Sequence, residues 1–181
     1  MTQETILAET TRDVLSPWVT LLTRTVLKPD SEPQIFHSLG LPDYVSVLAV
    51  TPDGNIPMVR QYRPAVQRIT IELPGGLNDV LEAPAEAAVR ELYEETGFRA
   101  LSEPLLLGSL IPDTGRLENR LWCYFVTATP DSGWVPEVGV ERVIYTRDQL
   151  RSNVLNGTFD HALHVALIGL ALIRGCFSWK G

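Results

Sequence analysis

Between Gly76 and Gly97 the chain specifies a turn, a helix and a helix stop, with carboxylates crowded along one side. Ala85, Ala88, Val89 and Leu92 recur at i, i+3, i+4 and i+7, the period of a helix with one apolar face. Pro84 suits the first turn, where its missing N–H is not needed, and Gly97 suits the position just past the last turn, where a left-handed backbone ends a helix. A helix is therefore expected from about residue 83 to 96. On a wheel of about 100° per residue, Glu91, Glu94 and Glu95 fall together on one edge beside the apolar stripe. Like charges at these spacings cost a helix a few tenths of a kcal/mol per pair, so the arrangement is mildly unfavourable unless a cation sits among them. Hard oxygen donors set this close suit Mg²⁺ or Mn²⁺. A solvated acidic face is the alternative that spacing alone leaves open, since glutamate is a good helix former.

Around this helix the chain reads mostly as short strands. Extended segments are expected at Trp18 to Leu27, Gln34 to Leu39, Val45 to Thr51, Ile56 to Gln61 and Ile69 to Leu73, and again at Leu105 to Leu110, Leu121 to Thr127 and Arg142 to Tyr145. Pro52-Asp53-Gly54 reads as a tight turn with Gly54 at positive φ, so Val45–Thr51 and Ile56–Gln61 are expected to pair antiparallel. A second periodic stretch, from about Phe159 to Ile173, reads as a C-terminal helix. Strands, a helix, more strands and a last helix point to an α+β chain with a mixed sheet flanked by helices, an α/β/α sandwich, rather than a regular βαβ alternation.

Charge and cysteine content narrow the partners. With 22 acidic against 15 basic residues the formal net charge is -7, which speaks against a broad cationic surface for nucleic acid and requires a bridging cation for any anionic substrate. Cys123 and Cys176 stand far apart in apolar surroundings, as expected of reduced thiols rather than a disulfide framework. The N-terminus lacks the basic and apolar regions of a signal peptide, and the most apolar stretch, Ala162 to Ile173, is too short to span a bilayer. A cytoplasmic protein without membrane partners is the expectation.

The full pattern Gly76, Glu82, Arg90-Glu91-Leu92, Glu94-Glu95 and Gly97-Phe98, at these spacings, closely resembles the signature of the Nudix hydrolases. The resemblance implies a metal-dependent hydrolase of a phosphoanhydride linked to a nucleoside, with Mg²⁺ or Mn²⁺ as cofactor. It implies a Nudix fold in which Glu91 and Glu95 are the main side-chain ligands, the Gly75 carbonyl joins them, and Glu94 serves a further metal or a metal-bound water. Gly76, Glu82, Arg90 and Gly97 take structural parts, Arg90 and Glu82 orienting the carboxylates. Upstream, Gln61-Tyr62-Arg63-Pro64 followed by Glu72-Leu73-Pro74-Gly75-Gly76 resembles the approach to the box in ADP-ribose and ADP-sugar pyrophosphatases, with Gly75 where alanine is usual. That change should be harmless to a carbonyl ligand. The implied substrate is a nucleoside diphosphate sugar, foremost ADP-ribose, cleaved to AMP and ribose 5-phosphate.

Arg63 is then the candidate to grip a phosphate, since a guanidinium fork matches phosphate oxygens. Glu72 could accept ribose hydroxyl hydrogen bonds or help position the metal. Pro112 stands where the subfamily has a proline, but its neighbours Asp113 to Glu118 depart from the usual context, so Arg116 is a candidate substrate contact and the terminal sugar stays open. GDP-mannose or another nucleotide sugar is the nearest alternative, and a binding protein that has lost catalysis is the alternative of another class. The general base is sought among Glu137, Glu141 and Glu118, in that order. Trp18, Trp134, Tyr62 and Phe36 are candidates to stack on a base, each with a core or interface role as the plainer alternative. His37, His161 and His164 show no metal-ligand pairing, and the last two are expected to be structural. Residues 1–42 are expected to form N-terminal strands that help build a substrate pocket and pair across a homodimer, as the family resemblance implies, and residues 43–181 the catalytic domain.

Overall fold

The computed structural model describes residues 9–27, 31–79, 81–136 and 138–180. The chain divides into two compact units, Met1–Asp43 with Ile111–Arg120, and Tyr44–Leu110 with Leu121–Gly181.

In the first unit β1 (Glu9–Ser16), β2 (Val19–Val26) and β3 (Gln34–Gly40) form an antiparallel sheet in chain order, with Arg12 opposite Leu22 and Thr23 opposite His37. β1 escaped the sequence reading because Glu-Thr-Thr-Arg-Asp has no apolar alternation, and β2 supplies its ladder. The segment Ile111–Arg120 joins this sheet edge: the Leu39 N–H donates to the Arg116 carbonyl at 2.7 Å and the Glu118 N–H to the Leu39 carbonyl at 3.1 Å. The Glu118 carboxylate also accepts from Arg24.

The second unit contains β4 (Tyr44–Val50), β5 (Ile56–Arg63), β6 (Arg68–Glu72), β7 (Gly75–Leu77), α1 (Pro84–Thr96), β8 (Phe98–Ala100), β9 (Leu105–Leu110), β10 (Leu121–Pro130), β11 (Val140–Tyr145), α2 (Arg147–Leu155) and α3 (Ala162–Ile173). A mixed sheet runs β7-β4-β10-β8, with β9 also on β10 and β4 parallel to β10, and a second sheet runs β11-β5-β6. β4 explains the layering. Its Val45, Val47 and Ala49 pack with Ala87, Ala88 and Leu92 of α1, and its Leu48 and Val50 pack with Leu167, Ile168 and Ala171 of α3. Alternate residues of a strand face opposite sides, so a strand apolar on both parities is buried between two helices. The expected flanked mixed sheet is present.

One expected pairing is corrected. Gly54 does adopt φ +87° and its N–H closes a turn on the Thr51 carbonyl at 2.8 Å, but β4 and β5 lie in different sheets. Both edges of β4 are taken by β7 and β10, and both edges of β5 by β6 and β11, so the turn redirects the chain between sheets. The C-terminal helix begins at Ala162 rather than near Phe159, because His161 caps it by accepting the His164 N–H at 3.4 Å, and Phe159 is core just before it. Among the described residues no helix is long and apolar enough to cross a membrane.

Candidate active site

The glutamates meet β7 because the glycines of β7 leave room for them. Gly75 and Gly76 pair with Ser46 and Val45 of β4, which lays β7 alongside α1. A Cβ on Gly76 would stand 2.4 Å from Glu91 Oε1, and one on Gly75 would stand 2.2 Å from the Val45 carbonyl oxygen. Only glycine permits both approaches as they stand. Alanine at 75 would have to push β7 from β4, so glycine there is fitted to this sheet. The Gly75 N–H in turn donates to Glu95 Oε2 at 2.9 Å. At the far end of α1, Gly97 takes φ +71° and its N–H bonds the Tyr93 carbonyl at 2.8 Å, ending the helix as expected from its position.

Arg90 gathers the acidic side chains. Its Nε and Nη2 fork onto Glu82 at 3.0 and 2.9 Å, while Nη1 donates to Glu91 at 2.7 Å and to Glu94 at 2.9 Å. Those bonds, with Glu82 first, push the guanidinium pKa far upward despite partial burial. One fixed positive charge thus stands among Glu82, Glu91 and Glu94, with Glu95 buried at 7% exposure nearby on the same helix. The net excess of carboxylate, the close glycine backbone and the all-oxygen donor set fit a small hard divalent cation held by Glu91, Glu95 and a β7 carbonyl.

Glu91 and Glu95 line a cavity of about 370 Å³ together with Gly75, Gly76, Arg63 and Glu72. Arg63 does not extend freely into it. Its Nε and Nη2 fork onto Glu72 Oε1 and Oε2 at 2.8 and 2.7 Å, and Thr70 Oγ1 adds a bond to Oε1 at 2.6 Å. Burial pushes the Glu72 carboxyl up, but the bonds from Arg63 and Thr70 outweigh it and hold the carboxyl at about 2. The same cavity is walled by His161 and His164, whose rings stack with centroids 3.7 Å apart. Burial, and then the neighbouring His161, push His164 down to about 3, so it is neutral. Tyr44 also lines the cavity, and burial, with Cys123 second, pushes its hydroxyl up to about 12, leaving a neutral O–H.

Glu94 and Glu141, singled out from the sequence, are not gathered here. Glu94 lines a separate hollow with Tyr93 and Trp134. Glu141 sits opposite Arg60 in the β11–β5 register and bonds it at 3.0 Å, while the adjacent Val140 and Gln61 line the cavity, so Glu141 occupies the alternate position of the pleat. Glu118 and Arg116 belong to the first unit, where Glu118 pairs with Arg24 and Arg116 with Asp113 at 3.4 Å. Glu137 lies outside the described residues. Trp134 packs against Gly97, where a Cβ would stand 2.4 Å from its ring, and its Nε1–H bonds the Glu94 carbonyl at 3.0 Å. Trp18, Phe36 and Tyr62 are exposed, and His37 is an exposed residue of β3. Tyr44, Gln61 and the histidine pair were missed as cavity residues. Only Gln61 had a signal, its place beside Arg63.

Residues 40–161 match the NUDIX domain. An ADP-ribose pyrophosphatase of Mycobacterium tuberculosis is 32% identical over 145 residues, covering 72% of this chain and 69% of that protein. One of Bacillus subtilis is 48% identical over 59 residues, covering 33% of this chain and only 32% of its own length. A crystal structure of an ADP compounds hydrolase superposes with a TM-score of 0.78 at 21% identity, covering 97% of this chain and 95% of that one, which shows a shared fold.

Proposed function

The chain belongs to the Nudix family, and from that premise we propose that it hydrolyses the diphosphate bridge of a nucleoside diphosphate sugar, foremost ADP-ribose, giving AMP and ribose 5-phosphate. The observation that carries this is one cavity of about 370 Å³ in which Glu91 and Glu95 face Arg63, a cation cradle beside a phosphate fork. Mg²⁺ is the cofactor proposed, with Mn²⁺ as substitute, held by Glu91, Glu95 and the Gly75 carbonyl. When bound, the cation supplies the charge that neutralises phosphate oxygens and acidifies the attacking water.

The chain's own side chains do the rest. Arg90 and Glu82 hold Glu91 in place, and the Gly75 N–H holds Glu95. Glu72 takes Nε and Nη2 of Arg63, which leaves Nη1 to meet a phosphate oxygen. Glu72 is thereby the residue that aims Arg63. Glu137 is proposed to take the proton from the attacking water, since Glu141 is tied to Arg60. Two reduced cysteines, Cys123 buried and Cys176 partly buried, agree with action in the cytoplasm.

Chromatographic assay against ADP-ribose, ADP-glucose, GDP-mannose, NADH, diadenosine polyphosphates and oxidised dNTPs tests the substrate, with ADP-ribose expected to give the highest kcat/KM. A preference for GDP-mannose would move the assignment to that sugar nucleotide, and no turnover of any nucleoside diphosphate sugar would sink it. Glu95→Gln is expected to lower turnover at least ~100-fold with the fold kept. An unchanged rate would show that these carboxylates do not hold the catalytic metal.

A further inference from the structure

Glu72, His161 and His164 bring one donor atom each to within 4.8 Å of one another, the donor set of a transition-metal site. Their hydrogen bonds argue for another use. A neutral imidazole has one lone pair, and His164 spends its own at Nδ1, which accepts the Leu73 N–H at 3.1 Å. The proton of His164 therefore sits on Nε2. His161 likewise turns Nδ1 to the His164 N–H, and both oxygens of Glu72 are taken by Arg63. Both histidines thus spend their single lone pair on backbone N–H groups, which leaves Glu72 as the one member of the trio with an acceptor site to offer.

The bond to Leu73 falls at a particular place. β6 ends at Glu72 and β7 begins at Gly75, so the connection is Leu73-Pro74, and proline has no N–H. Leu73 carries the one backbone donor of this corner, is 1% exposed, and has its partner in His164, itself 4% exposed. The rest of the corner is fixed from other sides: the Pro74 carbonyl accepts from the Val47 N–H at 3.0 Å and from Ser46 Oγ at 3.1 Å, and the Gly75 N–H reaches Glu95. His161, stacked within 13° of parallel on the His164 ring, keeps that ring in plane.

We propose that His164 is a positioning residue for the cation cradle, acting through the Leu73 N–H to hold the Leu73-Pro74 corner that delivers Gly75 to Glu95. The inference rests on Glu91, Glu95 and Gly75 being the cation ligands. It gives α3, which has no carboxylate in the cavity, a part in the affinity for the cation. A buried donor left without an acceptor drives its backbone to rearrange, and here that backbone is two residues from a ligand.

The test uses the full chain and four variants, with Mn²⁺ affinity read by electron paramagnetic resonance, folding by circular dichroism, and turnover at saturating metal. His164→Leu removes the acceptor and is expected to bind Mn²⁺ at least ~10-fold more weakly, as loss of a supporting contact behind a metal ligand does. His164→Asn keeps an oxygen where Nδ1 stands and is expected to recover most of that affinity, with turnover at saturating Mn²⁺ close to that of the parent. Should His164→Leu fail to fold, His164→Asn against His161→Ala carries the comparison: the first is expected near the parent, the second weakened. Unchanged Mn²⁺ affinity in folded His164→Leu would overturn the proposal, as would losses in Mn²⁺ affinity that merely follow thermal stability. So would a tightly held Zn²⁺ in the parent that both His161→Ala and His164→Asn release. If instead Glu95→Gln binds Mn²⁺ like the parent, the ligand reading itself fails, whatever the histidine variants do.

Discussion

Gly76 shows how a residue with no side chain can be a tightly restricted position in a site. A methyl group there would overlap the Glu91 carboxylate, standing 2.4 to 2.6 Å from its atoms, and Arg90 already holds that carboxylate by its Oε1. Gly76→Ala is therefore expected to lower kcat/KM by roughly 100-fold, since displacing a group at the reaction centre by an ångström costs that much. Thermal denaturation should change little, and a variant as active as the parent would show that Glu91 can move without loss. Glu72 makes a second prediction at this scale. Its carboxyl is held at about 2, below the ordinary 4.5, so its contribution to stability is complete above about pH 4.5 and fades as the pH falls toward 2. Urea midpoints measured at pH 7, 4.5 and 2.5 should fall over the last interval in the parent and fall less in Glu72→Gln. Equal slopes would mean that the Arg63 fork adds nothing to folding. Arg63 and Glu72 were both singled out in the sequence for the substrate. Their mutual fork was not legible, because they stand nine residues apart on either side of a turn, and in the β5–β6 register Glu72 lies opposite Val59 and Arg63 opposite Arg68, so the long Arg63 side chain reaches along the hairpin to Glu72.

Among the elements, α1 was readable in full and α2 was not. α1 carries an apolar period, a proline start and a glycine stop, and each rests on local sterics. α2 has a single buried apolar residue, Leu150, so no stripe marks it. Its signal was instead the box Thr146-x-x-Gln149, in which Gln149 N–H bonds Thr146 Oγ1 at 3.2 Å and Thr146 N–H bonds Gln149 Oε1 at 2.8 Å. Thr146→Ala is expected to cost about 1 kcal/mol and lower Tm by roughly 2–4 °C, as read by calorimetry. Catalysis should be unaffected, and an unchanged Tm would show that packing of Leu150 alone holds the helix. The short strands β7 and β8 were also hidden, because three residues hold no period and exist only where a longer strand accepts them.

For the molecule as a whole, the N-terminal sheet raises the question of a second copy. It leaves Val14 76%, Trp18 59%, Ile35 64% and Phe36 49% exposed, which is more apolar surface than a three-stranded sheet leaves to water without reason. A homodimer of the kind the family resemblance implies would cover it. Light scattering after size exclusion is expected to give twice the chain mass, and Val14→Glu with Ile35→Glu to give monomer, whereas a monomeric parent would rule the dimer out. The N-terminal unit also takes in Ile111–Arg120, a segment the sequence offered only as a loop with a proline. What the sequence determined by itself was the helix that bears Glu91 and Glu95, on which the proposed reaction rests, because the carboxylate spacing, the proline start and the glycine stop act within a few turns of chain. Tertiary structure alone decided what faces that helix: β4 in a sheet apart from β5, Glu141 turned to Arg60, Arg63 locked on Glu72, and His164 of α3 with its capping His161 beside the cradle. Those outcomes follow from which strand edges are already filled and which side of a pleat a residue falls on, and both are settled by partners distant in the chain.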